Sequence, residues 1–124
     1  MKYFFASLML CFALSEYSYA QDPSALQEKC TESARKYLEM HSSEGVIGHV
    51  SHYNKKLDKC FIRIDYFFFI LGCSAVGLID AFEWKSMGSF FQIKDEILVS
   101  CYVGRNACSS RTEFESLIKS YMEE

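Results

Sequence analysis

Apolar and polar positions follow three successive patterns along the chain, and each predicts a different element. Residues 3–14 form an almost unbroken apolar run behind a single charge at Lys2. From residue 26, Leu26, Cys30, Ala34, Tyr37, Leu38 and His41 recur three and four apart, with Lys29, Glu32, Arg35, Lys36 and Glu39 mostly between them. That spacing lays one apolar stripe along a helix. Asp22 suits the cap and Pro23 the first helical position, while Ser24 and Gln27 have capping-box spacing. Gly45, after His41-Ser42-Ser43, marks the end.

The rhythm then shifts to period two. Residues 46–53 are rich in β-branched and aromatic side chains, and Asn54-Lys55-Lys56 is a polar break. In residues 57–66, Cys60, Ile62, Ile64 and Tyr66 alternate with Phe61, Arg63 and Asp65. Alternation of this kind marks a half-buried strand, and the two segments predict a β-hairpin. Between Asp65 and Asp80 lie 14 uncharged residues, in which Gly72 and Gly77 bracket Cys73-Ser74-Ala75-Val76. They predict a strand end, a loop, and a new strand over residues 77–85. Met87-Gly88 reads as a further break, residues 89–94 as a short strand, and residues 97–103 as a strand closed by a turn at Gly104-Arg105-Asn106. Ser110 and Glu113 form a capping box ahead of Phe114, Leu117, Ile118 and Tyr121, which repeat at helical spacing. The expected fold is α+β: an N-terminal helix, an antiparallel β-meander of about four strands and a C-terminal helix, with both helices on one face of the sheet.

The opening run has the form of a secretory signal peptide over residues 1–20, ending in Ser18-Tyr19-Ala20. Its 12 apolar residues fall short of the roughly 20 that span a bilayer, and Glu16 stops the run from extending. Cys11 lacks the preceding small residue of a lipidation site and is lost with the signal. The uncharged stretch at 66–79 is also too short, so no stable membrane span is expected after cleavage. Residues 21–124 read as a single small α+β domain in an oxidising compartment, periplasmic or secreted, where disulfides form. A domain of that size buries a modest core, so covalent staples contribute much. The net charge of −3 is unchanged by cleavage, because Lys2 and Glu16 cancel. Without a basic face, a nucleic-acid partner is disfavoured.

Five cysteines remain after cleavage: Cys30, Cys60, Cys73, Cys101 and Cys108. Two bridges and a free thiol can be drawn from them in 15 ways, five choices of the free thiol times three pairings of the rest. No C-x-x-C spacing occurs, which argues against a zinc knuckle or a thioredoxin-type motif. His49 and His52, three apart in a strand, point to opposite faces and cannot chelate one metal. Cys73, alone in an apolar run, reads as a buried thiol, with an intermolecular bridge as the alternative. Asp80 with Glu83, and Asp95 with Glu96, read as solvated neighbours rather than the spaced pair a hydrolase needs. Lys55, Lys56 and Lys59 read as a solubilising turn. No catalytic residue, metal ligand or cofactor site is assigned. Aromatic density is the feature that alternation does not absorb. Phe67, Phe68 and Phe69 lead it, followed by Phe82, Trp84, Phe90 and Phe91, and the first three form a candidate partner patch.

The segment from His52 to Phe61, HYNKKL-x-KCF, resembles one found in a group of small exported bacterial proteins of uncharacterised function. The early helix with Cys30, the stretch from Leu78 to Glu83, and the closing EF-x-x-LI-x-x-YM helix after Cys108 are similar in the same order. The resemblance implies a bacterial and periplasmic setting, and a shared cysteine set of Cys30, Cys60, Cys101 and Cys108 with Cys73 as the extra. It further implies a pairing of Cys101 with Cys108 across the Gly104 turn, and of Cys30 with Cys60.

Together these features predict a non-enzymatic, disulfide-containing binding protein that engages an envelope protein, as a monomer or a Cys73-linked dimer. The alternative is a carrier or sensor domain holding a small apolar ligand between sheet and helix. Protein recovered after export is expected to start at Gln21, which intact-mass measurement checks; a species retaining residues 1–20 would overturn the signal assignment.

Overall fold

The computed structural model describes residues 22–41 and 44–123; the expected signal at 1–20 lies outside them. Helix α1 (Pro23–His41) is followed by strands β1 (Val46–Asn54), β2 (Lys59–Phe68), β3 (Cys73–Asp80), β4 (Lys85–Ile93), β5 (Ile97–Val103) and β6 (Asn106–Ala107), and then by helix α2 (Arg111–Met122). All six strands form one antiparallel sheet in chain order, β1-β2-β3-β4-β5-β6. The α+β class and the helix–meander–helix order are as expected, but the sheet has six strands rather than about four. The expected break at Met87-Gly88 lies inside β4, and the expected loop around Gly72–Gly77 is mostly β3.

The hairpin turns explain this difference. Three of them place non-glycine residues in the left-handed region: Asp58 (φ 51°) between β1 and β2, Trp84 (φ 55°) between β3 and β4, and Lys94 and Asp95 (φ 52° and 56°) between β4 and β5. Such turns carry no glycine signal. Conversely, two glycines that looked like breaks serve strand interiors. A Cβ on Gly88 would sit 2.9 Å from the Tyr102 carbonyl oxygen of the adjacent strand, and one on Gly77 would meet the Tyr66 ring.

Strand β2 separates two cores, because its alternation sends opposite side chains to opposite faces. On one face Cys60, Ile62 and Ile64 join Cys30 and Ala34 of α1, with Tyr53, Ile79 and Ala81. On the other, Phe61 joins Phe114 and Ile118 of α2, with Val76, Leu78, Phe90 and Val103. The helices therefore cover opposite faces of the sheet, not the single face expected. Both apolar phases of β2 are large, and each needs its own cover.

Both predicted disulfides are present: Cys30–Cys60 ties α1 to the centre of β2, and Cys101–Cys108 ties β5 to the segment before α2. Asp22 caps α1, its carboxylate accepting from the Ser24 amide and hydroxyl. Gln27 does not complete a capping box. It donates to Thr31 and accepts from the Tyr53 amide at 2.9 Å, covering part of the β1 edge. At α2, Ser110 accepts from the Glu113 amide, as predicted for its cap.

Two buried polar side chains fasten one end of the sheet. Asn54 donates to the carbonyls of Ser120 and Tyr121 at 3.0 and 3.1 Å and accepts from the Leu57 amide, joining the last turn of α2 to the β1–β2 turn. Asp80 is fully buried, which corrects the solvated reading. Its Oδ1 accepts from the Phe82 and Glu83 amides, shaping the β3–β4 turn, and Lys59 Nζ lies 3.5 Å from Oδ2.

The loops closed by the two disulfides differ in length, with separations of 30 and 7 residues. Chain entropy assigns about 3.5 kcal/mol to the longer and about 2.5 kcal/mol to the shorter. Urea unfolding of Cys30→Ala/Cys60→Ala is expected to show the larger loss of stability, and Cys101→Ala/Cys108→Ala the smaller; the reverse order would contradict the entropic account.

Candidate functional site

The β2–β3 hairpin ends in Phe69, Ile70, Leu71 and Gly72, and it carries the largest exposed apolar group in the sheet. Phe69 is 84% exposed, Ile70 99% and Leu71 60%. The alternation that buries β2 simply runs out here. Phe68 stays on the face of Tyr66, whose ring it stacks against, while Phe67 stays on the opposite face and meets the Phe69 ring edge-on at 4.8 Å between centroids. Both are half-buried. The turn closes with Gly72 in the left-handed region (φ 59°), and the Gly72 carbonyl accepts from the Lys94 amide at 2.9 Å. That bond joins the β2–β3 turn to the β4–β5 turn, so both sit at one end of the sheet.

The start of β1 completes the site. A register shift between Val46 and Gly48 leaves Ile47 as an extra residue, and its side chain is exposed. Gly45 accepts from the Phe67 amide at 2.8 Å and lies against the Phe68 ring, where a Cβ would come within 2.7 Å. Its φ of 98° also favours glycine. Between these two segments lies an open groove of about 590 Å³, lined by Glu44, Ile47, Phe67, Phe69, Ile70 and Leu71 among others. Among the described residues, Glu44 is the one titratable group that lines it. A site of this composition recognises apolar side chains by burial, and it offers no nucleophile–base pair.

Of the candidate patch, Phe69 is presented to solvent, while Phe67 and Phe68 form its base. Sequence reasoning missed Ile47, Ile70 and Leu71. The last two could have been found by carrying the period-two phase of β2 through Phe68, which puts the turn on residues 69–72. Ile47 had no such signal, because a bulge is set by pairing.

Among the described residues Cys73 is the free cysteine, and it is fully buried beneath this hairpin, its thiol donating to the Leu71 carbonyl at 3.6 Å. A bridge to a second chain would require that cover to open. His49 and His52 alternate onto opposite faces of β1, and among the described residues no group of three or more His, Cys, Asp or Glu side chains is placed to hold a metal ion. Asp95 and Glu96 lie exposed in the β4–β5 turn, and Lys55 and Lys56 in the β1–β2 turn at the opposite end of the sheet.

A second groove, of about 490 Å³, runs along α2 past Val50, Arg63 and Glu115. Its cation is already engaged, since Arg63 donates to both Asp65 and Glu115. The Glu115 carboxylate, then Asp65, holds the Arg63 guanidinium above its usual range despite partial burial. It locks β2 to α2 rather than awaiting an anion.

No family model, curated protein or solved structure matches the chain. Among the described residues no helix is long and apolar enough to cross a membrane.

The exposed tip adds little to stability, because its side chains touch few core groups. Ile70→Ser is expected to change unfolding free energy by no more than about 0.5 kcal/mol, while lowering the fluorescence of an apolar dye bound to the native protein. A large loss of stability would mean that Ile70 is a packing residue.

Proposed function

We propose that this protein is an exported, disulfide-stapled binding module that engages a protein of the bacterial envelope through the β2–β3 hairpin tip. The observation that carries this reading is the run Phe69-Ile70-Leu71, exposed at the end of a hairpin held by paired strands on both sides. Full burial of one large aliphatic or aromatic side chain is worth about 1.5–3 kcal/mol. Three such residues left in water are a reserve of binding free energy for a partner that covers them. The signal-like residues 1–20, the two disulfides and the resemblance to small exported proteins support the setting.

The same features support a non-enzymatic role with no cofactor. A carrier role has less support, because Cys30, Ala34, Ile62 and Ile64 fill the space between α1 and the sheet.

A photo-crosslinking amino acid at position 70 is expected to capture an envelope protein in cells exporting this chain, and one at position 57, in the β1–β2 turn, is not. Phe69→Asp/Ile70→Asp should abolish competition for that crosslink. Equal labelling from positions 57 and 70 would overturn the proposal.

A further inference from the structure

The tip groove is bordered by charge of one sign. Glu44 lines it, and the adjoining β4–β5 turn, tied to the tip by the Lys94–Gly72 bond, carries Asp95 and Glu96. Against these three carboxylates stands one cation, Lys94, so the rim has a net charge of −2. Among the described residues no salt bridge engages Glu44, Asp95 or Glu96, so their charge is not spent inside the molecule. The lysines of the β1–β2 turn, Lys55, Lys56 and Lys59, sit at the far end of the sheet. The long axis thus has an apolar, acidic end and a polar, basic end.

From this we infer that the tip is built for an amphipathic protein segment, whose apolar side chains enter the groove and whose lysines or arginines meet the Glu44, Asp95 and Glu96 rim. The inference rests on the reading of the tip as the contact surface and adds the chemistry of the segment it contacts. Apolar anchors supply affinity, and the rim supplies orientation and discrimination. A helix presenting one apolar stripe with basic flanks is the simplest such segment. The same rim opposes an anionic lipid surface. Insertion of Phe69 and Ile70 into acidic headgroups would carry three carboxylates toward like charge, whereas membrane-seeking tips surround their apolar residues with cations.

Two synthetic amphipathic helical peptides with the same leucine stripe, one flanked by lysine and one by glutamate, test the inference on the oxidised protein. The Leu/Lys peptide is expected to perturb amide resonances of residues 44–47, 67–71 and 94–97, with little effect from the Leu/Glu peptide. Glu44→Gln/Glu96→Gln should weaken the Leu/Lys complex about three- to tenfold, as expected for the loss of two exposed ion pairs. Ile70→Asp should remove it, and Lys55→Gln at the far end should leave it unchanged. Vesicles of phosphatidylglycerol should not retain the protein. Equal binding of both peptides, indifference to Glu44→Gln/Glu96→Gln, or retention on the vesicles would each overturn the charge assignment while leaving an apolar tip. Failure of either peptide to perturb the tip, together with no crosslink from position 70, would remove the contact surface itself.

Discussion

The bond between Cys30 and Cys60 holds α1 against the middle of the sheet, and the burial of one whole face depends on it. Cys60 is flanked by Phe61, which points the other way into the core beneath α2. Two consecutive residues of β2 therefore belong to two different cores. A strand that is apolar on both sides in its centre must be covered twice, and a chain of this length has two helices with which to do it. The remaining strands add area to each core in register with β2: Ile79 lies beside Ile62 on one face, and Leu78 beside Arg63 on the other.

Once the faces are covered, the two ends of the sheet have different characters. At the end with the β1–β2 and β3–β4 turns, buried polar groups are satisfied by backbone: Asn54 holds the end of α2, and Asp80 shapes the turn that contains Trp84. These contacts are short, local and directional, and they fix the ends of elements that hydrophobic burial alone would leave free to slide. At the other end the hairpins close without such fasteners, and the apolar sequence continues past the last paired residue into solvent. The same uncharged stretch thus supplies β3 with core residues and the tip with exposed ones.

Legibility followed the range of the interaction. Both helices were readable because caps and apolar stripes are local: Asp22, Pro23, Ser110 and Glu113 act within one turn of the residues they stabilise. The β1–β2 hairpin was readable because Cys60, Ile62, Ile64 and Tyr66 keep strict alternation. The β3–β4 hairpin was not, because its left-handed position is held by Trp84 with the help of Asp80, while the glycines nearby serve close approach between strands. Within the candidate site, Phe67, Phe68 and Phe69 stood out as composition. Which of them reaches solvent depended on where β2 stops pairing, and Ile47 joined them only through a bulge.

By itself, the sequence determined the class of the domain, the order of its elements, the two helices with their caps and the first hairpin. Local spacing and side-chain chemistry suffice for these, because each acts over a few residues. Only the tertiary structure decided that the helices take opposite faces, that the sheet has six strands, that Asp80 is internal, and that Ile47, Ile70 and Leu71 share an exposed groove with Phe69. Each of these depends on residues far apart in the chain competing to cover the same surface, and that competition is settled by register and packing rather than by any local pattern.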